Sequence, residues 1–112
     1  MKFKTIIGGT EAEALVKFHW LAEADFEDAV IDITYNYPVW KDGFWKNGTW
    51  ENGFWKNGTW KNGTWKNGTW KNGTWEKGFW EKGVWEKGRM WSNANQIYEI
   101  VEYKDGKFTV IS

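Results

Sequence analysis

A five-residue pattern of apolar and polar positions governs the middle of the chain. Tryptophan recurs at Trp40, Trp45, Trp50, Trp55, Trp60, Trp65, Trp70, Trp75, Trp80 and Trp85, and one extra residue delays Trp91. Between tryptophans the order is Lys or Glu, then Asn, Asp or Lys, then Gly, then Thr, Phe or Val. A helix is excluded: a glycine in every unit costs about 1 kcal/mol relative to alanine, and five matches neither 3.6 nor 7. Ten tryptophans also demand burial, which a disordered linker does not provide. A repeated strand and turn remains. Asn-Gly supplies the turn, since both residues tolerate positive φ. Thr/Phe/Val, Trp and Lys/Glu supply a three-residue strand with the indole on one face and its neighbours on the other.

The flanks read differently. Lys2 to Ile7 alternates weakly and predicts a short strand closed by Gly8-Gly9. Residues 10–23 support two readings. As a helix, Thr10 and Glu13 make a capping box, and Leu15, Phe18, Ala22, Phe26 and Ala29 share a face. As repeats, Val16, Leu21, Phe26 and Ile31 are large apolar residues spaced five apart, and this reading is favoured from Ala24 onward. Ile31, Ile33, Tyr35 and Tyr37 alternate with polar residues, which is strand periodicity. Pro38 is a boundary before the array. After the polar break Ser92-Asn93-Ala94-Asn95, two β-rich runs flank Asp105-Gly106 and predict a hairpin that caps the array. The chain thus divides into an N-terminal strand and cap region (1–37), the tryptophan array (38–91) and a C-terminal hairpin cap (92–112), all within one domain (1–112).

Read from its glycine, the unit is Gly48-Thr49-Trp50-Glu51-Asn52 or Gly58-Thr59-Trp60-Lys61-Asn62. It resembles the pentapeptide-repeat proteins, whose unit is Ala-(Asp/Asn)-(Leu/Phe)-x-x. Ala24-Asp25-Phe26-Glu27-Asp28-Ala29-Val30-Ile31 fits that pattern closely. Gly in place of Ala, Trp in place of Leu or Phe, and a register slip between Ile31 and Trp40 are departures from it. The array also resembles uncharacterised proteins of tailed phages. The first resemblance implies an all-β fold, a right-handed four-sided β-solenoid with terminal caps. Each side would hold one pentapeptide and each coil twenty residues. An antiparallel meander of very short strands is the alternative.

Charge offers a way to compare stackings, because like charges opposite one another in a ladder are unfavourable. For the residue after each tryptophan, a spacing of five gives three opposite and six like pairs, and ten gives four of each. Twenty gives four opposite and two like. Each pair contributes a few tenths of a kcal/mol to about 1. The four-sided coil therefore predicts columns Trp40/Trp60/Trp80, Trp45/Trp65/Trp85, Trp50/Trp70 and Trp55/Trp75. All eleven tryptophans from Trp40 to Trp91 are expected to form a structural ladder. Such arrays need caps at their ends.

Composition narrows the function classes. Fifteen basic and fifteen acidic side chains cancel, so net charge calls for neither nucleic acid nor an anionic membrane. There is no cysteine, and no apolar run is long enough for a membrane span or a signal peptide. A cytoplasmic or virion-associated location is expected. The lone His19 has no second His or Cys beside it to complete a metal site. The acidic residues Glu11, Glu13, Glu23, Asp25, Glu27 and Asp28 lack calcium-loop spacing, and Gly8-Gly9-Thr10 lacks the Walker lysine. No nucleophile–base pair stands out. No catalytic, metal or cofactor residues are therefore expected, and a non-catalytic structural or protein-interaction module, phage-encoded by resemblance, is the leading reading. Its protein partner is unknown, and open solenoid ends predict a homodimer through them. The pentapeptide-repeat resemblance implies DNA mimicry against a topoisomerase as an alternative, which the neutral charge disfavours. Exposed tryptophans could also bind carbohydrate or single-stranded nucleic acid.

Overall fold

A computed structural model describes residues 2–111; Met1 and Ser112 lie outside it. In chain order the elements are β1 (Phe3–Ile7), α1 (Glu11–Lys17), α2 (Trp20–Glu23), β2 (Asp25–Asp32) and β3 (Val39–Asn47). Eight two-residue strands follow: β4 (Thr49–Trp50), β5 (Phe54–Trp55), β6 (Thr59–Trp60), β7 (Thr64–Trp65), β8 (Thr69–Trp70), β9 (Thr74–Trp75), β10 (Phe79–Trp80) and β11 (Val84–Trp85). The last three are β12 (Arg89–Ser92), β13 (Ile97–Lys104) and β14 (Lys107–Val110).

The array is a β-solenoid. Successive units do not pair with each other, which removes the meander. The coil, however, is fifteen residues long and has three sides, not four. Trp40 pairs in parallel with Trp55, Trp55 with Trp70 and Trp70 with Trp85. Trp45 pairs with Trp60 and Trp60 with Trp75, while Trp50, Trp65 and Trp80 make the third column. Each coil hydrogen-bonds to the one before: Lys56 N–H donates to the Trp40 carbonyl at 2.7 Å, and Thr64 N–H to that of Gly48 at 3.0 Å.

Three sides suit the indole. Trp40, Trp45 and Trp50 meet edge to face as a closed triangle, with ring centroids 5.7, 5.7 and 6.3 Å apart. Trp55, Trp60 and Trp65 repeat it at 5.9, 5.9 and 6.4 Å. Between layers the rings are nearly parallel, for example Trp60 over Trp75 at 4.7 Å and 5° and Trp65 over Trp80 at 5.1 Å and 3°. Both geometries are favoured by the ring quadrupole. Trp40 to Trp70 are fully buried, and each contributes about 5 kcal/mol of gross transfer energy at ~200 Å².

Glycine makes the corners. Gly43 to Gly88 all have φ between 121° and 147°, a region L side chains rarely adopt. Asn does not share this role. Among the described residues the positive-φ non-glycine residues are Asp28, Gln96 and Asp105, so no corner Asn uses positive φ. This explains why Lys77, Lys82 and Lys87 replace Asn in the last coil without altering the turn. Coils also approach closely at the corners: a Cβ on Gly58 would lie 2.6 Å from the Gly43 carbonyl oxygen and 3.0 Å from Trp40 Nε1.

Both ends are closed. At the front, Phe26 stacks on Trp45 at 5.7 Å and 12°, and Trp20 meets Trp50 edge-on at 5.1 Å. Within residues 10–23 the chain forms two short helices, α1 and α2, broken at Phe18-His19. The Thr10/Glu13 capping box forms as the helical reading expects, but the expected face ends before Phe26 and Ala29, which lie in β2. Ala24–Ile31 is not a coil: β2 runs parallel to β1 but antiparallel to β3. The strand expected to run on through Tyr35 and Tyr37 stops at Asp32, whose Oδ1 accepts from Thr34 N–H at 2.9 Å and turns the chain. At the back, β12, β13 and β14 form an antiparallel meander of three strands, one more than the expected hairpin, with Asp105 (φ 55°) and Gly106 (φ 78°) at its second turn. Phe108 abuts Trp80 and Trp85 edge-on at 5.5 and 5.0 Å.

Candidate functional site

The ladder residues divide into those the coil uses and one it does not. Trp40 through Trp75 and Trp85 are buried, and Trp80 is partly covered by Tyr103 and Phe108. Trp91 is outside the ladder. The register pairs Met90, not Trp91, with Trp75, so methionine fills the last place of that column. Trp91 points outward, meets Tyr98 edge-on at 4.9 Å and donates from Nε1 to Asn93. Trp60 Nε1 donates to the Lys77 carbonyl and Trp85 Nε1 to that of Val101, both at 3.1 Å. With the rings inside the coil, their faces are occupied by one another and are not open to sugars or bases.

The residues weighed for chemistry do not converge. His19 is exposed at the start of α2. Among the six acidic residues near the N-terminus, Glu13 caps α1 and Glu27 pairs with Lys46 at 2.9 Å across β2 and β3. Hydrogen bonding and attraction from Lys46 hold the Glu27 carboxyl below its ordinary range, and Glu27 raises Lys46 in turn. Asp28 sits at a positive-φ bulge. Gly8-Gly9 is the turn that leads to the Thr10 cap. Among the described residues no group of three His, Cys, Asp or Glu comes together to hold a metal. No helix among them is long and apolar enough to cross a membrane.

The exposed side chains lie on the outer surface, which the fifteen-residue register divides into three faces. Thr49 stacks with Thr64, and Thr59 with Thr74, while Thr69 lies between Phe54 and Val84. The threonines therefore make no single hydroxyl plane. On the broad face carried by β3, β6, β9, β12 and β13, the outward row is Phe44, Thr59, Thr74, Arg89 and Ile100, with Phe44 and Ile100 each more than 40% exposed. A second outward row on that face ends in Trp91 and Tyr98. On the face carried by β3, β5, β8 and β11, the column after tryptophan is Lys41, Lys56, Lys71 and Glu86. Beside it lies a cavity of about 260 Å³ between these strands and the 33–38 loop, where Tyr35 and Tyr37 stack on each other. These groupings depend on the fifteen-residue spacing, the signal that a twenty-residue coil hides. Compared with family models, curated proteins and solved structures, the chain matches none.

Proposed function

We propose that the chain is a non-catalytic structural and protein-interaction module. The observation that carries this reading is the use of the interior: stacked indoles fill it from Phe26 to Phe108. Recognition then falls to the outer faces, which the ladder holds rigid. The kinship with pentapeptide-repeat proteins, on this reading, lies in one five-residue unit per side rather than in a shared cross-section. The broad face is the surface of choice for a protein partner, since Phe44, Tyr98 and Ile100 place large apolar groups among polar neighbours on a continuous sheet. End-to-end pairing has less to recommend it, because Trp20 and Phe26 cover one end and Tyr103 and Phe108 the other.

The test is affinity purification with the full chain and with Phe44→Asp/Ile100→Asp. The reading expects one defined partner with the unaltered chain and its loss with the double variant, at an unchanged near-ultraviolet spectrum. Retention of the same partner by both proteins, or of none by either, contradicts it.

A further inference from the structure

Net charge averages over three faces that differ. After each tryptophan, one face carries Glu51, Lys66 and Glu81, alternating in sign from coil to coil. A second carries Lys46, Lys61 and Glu76, with Lys46 already paired to Glu27. The third carries Lys41, Lys56 and Lys71 on consecutive coils before Glu86 reverses the sign. Like charges on neighbouring rungs cost a few tenths of a kcal/mol to about 1 each. Only on this third face does the described surface stack three lysines with no carboxylate within ion-pair distance of them.

The same face carries the aromatic groups. Tyr35 and Tyr37 are 51% and 43% exposed and stack at 5.7 Å and 16°. They wall a cavity of about 260 Å³ that Asp32, Lys41, Phe54 and Lys56 complete. A second hollow of about 290 Å³ continues it from Tyr37 past Phe54 to Thr69. Lys71 Nζ lies 5.4 Å above the Phe54 ring, so the basic row leans over the apolar one. The trough runs along the solenoid axis. Its lysines, one per coil at about 4.8 Å, span about 10 Å. Asp32 closes one end and Glu86 the other. The Thr34 side chain and backbone N–H hold the Asp32 carboxyl below its ordinary range, with weaker attraction from Lys41 and Lys56 in the same direction.

We propose that this trough binds a short unpaired nucleic-acid strand, with phosphates along Lys41, Lys56 and Lys71 and a base on the tyrosine pair. A basic track beside exposed aromatic rings is the arrangement that holds single strands without base-specific contacts. A sulfated polysaccharide would use the same lysines, but it has no planar base to lie flat on the tyrosine pair. The two bounding carboxylates limit the footprint to the three lysine rungs and repel a longer polyanion. This site is separate from the broad face and stands whether or not a protein docks there.

The probe is a short fluorescein-labelled oligothymidine, followed by anisotropy with the full chain across a salt series. Three phosphate contacts predict a log–log salt slope of about −2, at about −0.7 per contact. Lys56→Gln/Lys71→Gln should flatten that slope to about −0.7 and weaken binding at low salt. Tyr37→Ala should weaken it roughly fivefold or more, the loss of one stacked base. Lys66→Gln, on the alternating face, should leave it unchanged. The proposal is overturned by an absence of binding at low salt, by an equal effect of Lys66→Gln, or by full affinity in Tyr37→Ala. It is also overturned if dextran sulfate binds more tightly than oligothymidine, which would mark a plain polyanion surface. Unchanged near-ultraviolet spectra of the variants keep misfolding out of the comparison.

Discussion

At the scale of the residue, the corner glycines carry as much of the architecture as the tryptophans. Each meets two demands at once: a φ near +125° and a close approach to the coil before. Gly63 shows both, since a Cβ there would collide with the Gly48 carbonyl oxygen. Gly106 shows only the first: φ is 78° and a Cβ there would meet nothing within 4 Å. Gly106→Ala should therefore cost about 1–2 kcal/mol, the left-handed penalty alone. Gly63→Ala should cost clearly more, because coil spacing must also give way. Urea unfolding of both variants measures the difference, and equal losses would mean that coil contact at the corner is unimportant. Trp91 shows how a residue-level pattern misleads. One extra residue before it looks like an insertion, yet the period continues unbroken through Met90, whose flexible thioether fills the indole's place.

At the scale of the element, the caps were partly legible. The Thr10/Glu13 box and the Asp105-Gly106 turn work locally, so their residues alone identify them. β2 was hidden by a coincidence of spacing. Its inward residues are Phe26, Ala29 and Ile31, separated by three and then two. The step of three comes from the bulge at Asp28, where φ is 54°. Three and two sum to five, so a bulged antiparallel strand imitates the repeat that follows it. The Glu27–Lys46 pair ties this strand to β3, and it gives the cap a pH signature. The Glu27 carboxyl is depressed in the folded state, so its contribution is complete above the ordinary carboxylate range and is lost as pH falls through the folded value. Asp32 acts in the same direction. Melting temperature should thus fall on acidification from about pH 6 to about pH 3, and fall less in Glu27→Gln. The raised Lys46 loses its contribution only as pH rises through the lysine range. Parallel acid profiles for the two proteins would deny the pair any part in stability.

At the scale of the whole molecule, the solenoid and its buried indoles were legible, but the number of sides was not. The five-residue unit is one side in either cross-section, so periodicity alone is silent on how many units close a coil. Charge gave a preference too small to decide. At a spacing of fifteen the residues after tryptophan make four opposite and three like pairs, against four and two at twenty. One additional like pair is worth less than about 1 kcal/mol. Ring packing in the triads outweighs it, and two of the three like pairs fall on the Lys41/Lys56/Lys71 face, the third being Lys46/Lys61. The three-sided coil is tested most directly by cross-linking, since the chain has no cysteine of its own. Thr49 and Thr64 are Cα partners on adjacent coils. Their separation of about 4.8 Å lies within the range of about 4.4–6.8 Å that a disulfide spans. Under oxidation, Thr49→Cys/Thr64→Cys should close an intramolecular disulfide readily, while Thr49→Cys/Thr69→Cys should not. Closure of the second pair in preference to the first would establish a twenty-residue coil and contradict the account.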